Sequence, residues 1–147
     1  MVKWKLALFL GIASGLILGF FLKVIEVATG NKVYTLLLNV DFVPILGAMA
    51  WHEAIEFLFH LLFSIGLSIL FVFIISRYSI EKLSSYLFIG VVVTLPTVFL
   101  YFPLVLLAQK DVPTIKDVES IFYWSTGHLL YGLSLGLISY HLKKHSQ

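Results

Sequence analysis

The sequence predicts an all-α membrane protein: a bundle of four transmembrane helices, with an apolar interfacial or re-entrant segment between the first and the second. Three observations lead there. Hydrophobic residues make up 60% of the chain, and its mean hydropathy is +1.00. Charged residues make up only 12%, where a soluble domain carries roughly 25% to cover its surface. The apolar residues also gather into four runs, each near the ~20 residues that take a helix across hydrocarbon. In a chain of 147 residues, four such runs leave too little for a separate soluble domain, so 1–147 reads as one transmembrane domain.

The first span covers 6–28. Lys3 and Lys5 precede it as they would in a secretory signal. The apolar run is longer than a signal core and no small-residue cleavage site follows, so it reads as a retained helix. The stretch 29–51 is long and mostly apolar, interrupted by Asn39, Asp41 and Pro44; it lies in the interface or dips back into the bundle. The second span covers 54–76 and the third 85–107. Pro96 and Pro103 fall inside the third, where each removes a backbone donor and should kink or end the helix. The fourth span covers 120–141. Helices are required because backbone groups in lipid must be satisfied within the segment. A membrane barrel would show alternation, which runs such as Phe71 to Ile75 and Val91 to Val93 lack.

An even number of spans puts both termini on one side. That side holds Lys3, Lys5, Arg77, Lys82, Lys143 and Lys144, and the other holds Lys23, Lys32, Lys110 and Lys116. The excess of cations predicts cytoplasmic termini. With no cysteine in the chain, disulfides, thiolate metal sites and cysteine nucleophiles are excluded. No basic run is dense enough for nucleic acid. No nucleophile elbow and no glycine-rich phosphate cradle occurs, so covalent enzyme chemistry is not indicated.

Two helix faces are built of small residues. Gly11, Gly15 and Gly19 follow Ala7 at steps of four, and Gly132 and Gly136 lie near Ser125 and Ser139. Such stripes let helix backbones approach closely. They fit packing within the chain, and they also fit a surface for another membrane protein or a second copy.

The most informative segment is Trp51 to His60. His52, Glu56 and His60 fall at steps of four and share a helix face, Ser64 and Ser68 extend it, and Glu53 lies beside it. An ionisable group in hydrocarbon costs roughly 2.5–3.5 kcal/mol on insertion scales, so these side chains should face the bundle interior or water. Lys23 and Glu26 end the first span at the same level, and His128 lies roughly 12 Å inside the fourth span at 1.5 Å per residue. Three readings fit this cluster. Lys23, Glu26, Glu53, Glu56, His60 and His128 form a buried polar network, with Lys23 neutralising Glu26 or Glu56 and the histidines donating to them. Or His52, Glu56, His60 and His128 hold a divalent metal or a haem, imidazole and carboxylate being suited to such ions. Or the cluster is proton-responsive, since histidine titrates near neutrality. The segment is not the zinc-protease pattern, because Glu56 stands where that pattern has its second histidine.

Four landmarks recur in order: Gly11-x-x-x-Gly15 leading to Lys23 and Glu26; His60-Leu61-Leu62-Phe63-Ser64-Ile65; Phe102-Pro103-Leu104; and Gly127-His128-Leu129. In these the chain resembles the YagU-like bacterial inner-membrane proteins. The resemblance implies a multi-pass protein of the bacterial cytoplasmic membrane with a loose link to survival in acid, and brings no catalytic residues. The chain lacks the long polar insert that Escherichia-type members carry after the first span. The function this suggests is a small, non-enzymatic accessory or regulatory subunit, modulating a sensor kinase or transporter in envelope or acid stress. The alternative is a self-sufficient ion, proton or metal- and haem-binding protein built on the His/Glu/Lys cluster.

Overall fold

A computed structural model describes residues 3–41, 43–44, 46–47 and 49–145, with the backbone alone at 145. The chain forms α1 (Trp4–Thr29), α2 (Val33–Leu37), α3 (Glu53–Arg77), α4 (Leu83–Phe99), α5 (Tyr101–Leu107) and α6 (Val118–His145). No strand occurs among the described residues. Three helices are long and apolar enough to cross a membrane: Trp4–Thr29, Glu53–Arg77 and Leu83–Leu107, the last being α4 and α5 together. Helix α6 is longer, with 28 residues, but Ser120, Ser125, Thr126, His128, Ser134 and Ser139 dilute its apolar content.

The helix ends have local causes. α1 stops at Gly30, whose φ of 80° suits only a residue without Cβ and whose N–H donates to Glu26 O. α3 starts at His52, where Nδ1 accepts the Ala54 N–H at 3.2 Å. Glu53 and Glu56 in its first turn and Arg77 in its last oppose the helix dipole. The third span breaks where Pro103 requires it. Proline cannot donate to the Phe99 carbonyl and its ring clashes there, so α4 ends at Phe99 and α5 starts at Tyr101. Pro96 stays inside α4.

α1 and α3 run antiparallel with their four-residue rows in register. Ser68 Oγ donates to Ala7 O at 2.5 Å. Ser64 Oγ lies 2.6 Å from Gly11 O, and His60 Nε2 meets Gly15 O at 3.1 Å. The ring of Phe57 lies over Gly19. The contacts at the glycines need bare backbone: a Cβ at Gly11 would lie 2.6 Å from Ile65 Cα, and one at Gly15 would lie 2.8 Å from Ser64 Oγ. Hydrogen bonds of this kind between helices in lipid contribute about 0.6 to 2 kcal/mol each.

α6 packs antiparallel on α4 through the second stripe. Gly132 meets the backbone of Gly90 and Val91, and Gly136 meets that of Tyr86 and Leu87. At the far end of this crossing the Trp124 indole N–H points at the Val98 carbonyl, 3.2 Å away. α1 lies against α6 as well, with Leu18, Phe21 and Leu22 around Gly127. Both small-residue faces are therefore filled by other helices of the same chain.

The stretch after α1 folds back onto the bundle. Val33, Tyr34, Leu36, Leu38 and Asn39 are buried. α2 is tied to α1 by Glu26, which accepts from the Thr35 N–H and hydroxyl, both at 2.8 Å, and pairs with Lys32 at 3.8 Å. Phe42, Ile45 and Ala48 of the apolar 29–51 stretch lie outside the described residues.

Candidate functional site

α3 packs closely on α1, touches α4, and stands off from α5 and α6. The gap is a cavity of about 340 Å³. Leu18 of α1, Leu67 of α3, Leu104 of α5 and Leu100 before it line the wall, with Phe59 and Phe63 from α3, and Leu37, Leu38, Val40, Val43 and Leu46 from α2 and the stretch after it. Polar groups enter at three levels. Glu56 and Asn39 lie toward the α1–α3 connection, His60 and His128 in the middle with Thr97 beside Trp124 one turn short of His128, and Ser64 and Tyr131 farther in. Tyr131 crosses the gap there: its hydroxyl donates to Ser64 O at 2.9 Å and lies 3.0 Å from Ser64 Oγ.

At the connection end the cavity is bounded by a latch. Glu56, which is buried, pairs with Lys110 from the α5–α6 loop. Asp41 Oδ2 accepts the N–H groups of Gln109 and Lys110 at 2.7 and 3.2 Å. Asn39 Nδ2 reaches Leu104 O at 3.4 Å, and its side-chain oxygen accepts the Asp41 N–H at 2.9 Å. Asn39 and Asp41, which interrupt the apolar stretch in the sequence, thus fasten it to α5 and to the loop after it.

The polar residues marked by the sequence separate into distinct groups. Lys23 pairs with Glu53 at 2.9 Å, with neither Glu26 nor Glu56. This correction follows from register: α1 and α3 are antiparallel, so the end of one meets the start of the other. The pair is largely exposed, where such bridges contribute little. Tyr34 donates to the same Glu53 oxygen at 3.1 Å, and burial, then that bond, pushes its phenol well above the usual range. Glu26 serves α2, and His52 caps α3 from an exposed position. Only Glu56, His60 and His128 of the marked set line the cavity. Neither histidine there donates to a carboxylate: His60 meets Gly15 O, and His128 Nδ1 meets Trp124 O at 2.8 Å. Among the described residues no group of three or more His, Asp or Glu stands in an arrangement that could hold a metal ion.

Both histidine bonds fix a tautomer. A carbonyl oxygen only accepts, so His60 Nε2 and His128 Nδ1 carry the protons. His60 Nδ1 and His128 Nε2 are left as acceptors, without a hydrogen-bond partner among the described residues. The cavity-lining residues that sequence reading did not assign to the site are Trp124, Tyr131, Asn39 and Thr97, and Lys110, which pairs with Glu56 at its edge, was not assigned either. Tyr131 follows His128 by three residues and so shares its helix face, which was a usable signal. Lys110 sits in a loop, where no periodicity points.

Comparison with protein-family models, with curated proteins and with solved structures finds no match to the chain.

Proposed function

We propose that the chain is a four-span membrane protein, with α6 as the fourth span, that binds a small lipophilic molecule between α3 and α6. The observation that carries this reading is the character of the cavity: about 340 Å³, mostly apolar, with a few polar side chains at fixed places. Sites for small molecules have this size and make-up. With cytoplasmic termini the site would lie toward the outer leaflet.

The glycine stripes, which in the sequence fit a partner surface as well, are covered by α3 and α4; binding is therefore placed ahead of partner docking. A regulatory role toward a larger membrane partner and the YagU-like resemblance rest on the sequence alone, and a ligand-binding bundle suits both. An ion or proton role is less favoured, because Glu56 is already neutralised by Lys110.

Trp124, in the cavity wall, supplies the test. The chain has three tryptophans, and replacing Trp4 and Trp51 with phenylalanine leaves Trp124 as the reporter. A terminally brominated fatty alcohol, titrated by mole fraction in the micelle, is expected to quench its emission saturably. Quenching that rises linearly without saturation, as from bulk lipid, would contradict the proposal.

A further inference from the structure

The histidine tautomers say what kind of molecule the cavity takes, given the binding role just proposed. Each side chain in the wall that can donate gives a proton to a protein carbonyl; Asn39, at the connection end, carries a second N–H besides. Ser64 is 2.6 Å from Gly11 O and Tyr131 is 2.9 Å from Ser64 O. Thr97 is 2.6 Å from Thr94 O, Trp124 is 3.2 Å from Val98 O, and Asn39 is 3.4 Å from Leu104 O. His60 and His128 each give their one proton to a carbonyl as well. What remains open on these rings is acceptor capacity: Nδ1 of His60 and Nε2 of His128, on two helices that face each other across the same cavity. A bare acceptor in an apolar enclosure costs free energy until a donor meets it.

We infer that the occupant is a lipophilic molecule bearing a hydroxyl group, such as a long-chain alcohol or a phenol, which donates to these imidazoles. A ketone, ether or ester of the same shape offers only acceptors and would face two lone pairs. A cation is disfavoured because the carboxylate lining the cavity, Glu56, is already paired with Lys110. The apolar walls take the body of the molecule, and the histidines set the depth of its hydroxyl.

The test compares the brominated fatty alcohol with its own methyl ether, read by Trp124 quenching in the Trp4→Phe/Trp51→Phe chain. The two probes have nearly the same shape and differ in the donor. The alcohol is expected to bind about tenfold more tightly, the size of one well-made hydrogen bond. The preference should fall to parity in a chain that also carries His60→Phe and His128→Phe. Equal affinity of alcohol and ether for the histidine-bearing chain would overturn the inference and leave the cavity a binding site. So would a preference that survives loss of both histidines. No saturable quenching by either probe would remove the binding role itself. The comparison in the histidine-bearing chain decides the matter even if the histidine variants do not fold.

Discussion

A chain carrying Gly132→Leu is expected to lose its folded, monodisperse state in mild detergent, while Gly66→Leu keeps it. At Gly132 a Cβ would lie 2.9 Å from Gly90 O and 3.0 Å from Val91 Cα. Those atoms are backbone on the facing helix and cannot turn aside as a side chain would. Three further carbons would then have to enter a crossing where backbone meets backbone, so α4 and α6 must separate. Overpacked cores lose about 1–3 kcal/mol when side chains absorb the strain; here backbone meets backbone, and the loss is expected at or above the top of that range. Gly66 is the matched control. It lies on the exposed face of α3 with nothing within 4 Å of its Cβ position, and leucine is the better helix former by nearly 1 kcal/mol in peptide hosts. Thermal unfolding followed by circular dichroism, with size-exclusion profiles, reads both. Equal melting of the Gly132 variant and the unsubstituted chain would mean that α4 and α6 are not in backbone contact.

The second large effect is expected at the latch. Lys110→Met leaves the Glu56 carboxylate buried without its cation. Breaking a buried pair by removing one partner costs roughly 3–5 kcal/mol; the Lys110 side chain is about one-third exposed, which puts the loss near the low end, about 3 kcal/mol. The double variant Glu56→Gln/Lys110→Met should recover most of it, because an amide is far cheaper to bury than an unpaired carboxylate. Denaturant titration of the two single variants and the double variant measures the coupling. Additive losses would show that Glu56 and Lys110 do not interact.

Much of the architecture was legible because hydropathy and breakers act locally. The spans placed at 6–28, 54–76, 85–107 and 120–141 fall within four residues of the ends of α1, α3, the α4–α5 pair and α6. The break in the third falls where Pro103 denies a donor to the Phe99 carbonyl, with Pro103 itself taken into the first turn of α5. The glycine stripes marked close packing, but their partners could not be read. Whether Gly15 meets His60 of the same chain or a residue of another protein depends on which helices become neighbours, and spacing within one helix is silent on that. The same holds for the ion pairs. Lys23 and Glu26 look like a pair at three-residue spacing, yet the antiparallel register gives Lys23 to Glu53 and Thr35 takes Glu26. His52 shares a helical row with Glu56 and His60, but it precedes the first turn and is used in capping. The cavity itself left no trace in the sequence: it exists because α3 leans on α1 and away from α5, a matter of helix placement.

The binding role is tested most directly by native mass spectrometry of the chain released from its membrane in mild detergent, beside Leu67→Trp. Leu67 lines the cavity from α3, and an indole there would fill the space an occupant needs. The unsubstituted chain is expected to carry a small lipophilic molecule at about one per chain, and Leu67→Trp to carry none while melting at the same temperature. An unsubstituted chain that flies bare, or an adduct that Leu67→Trp leaves in place, would contradict the account.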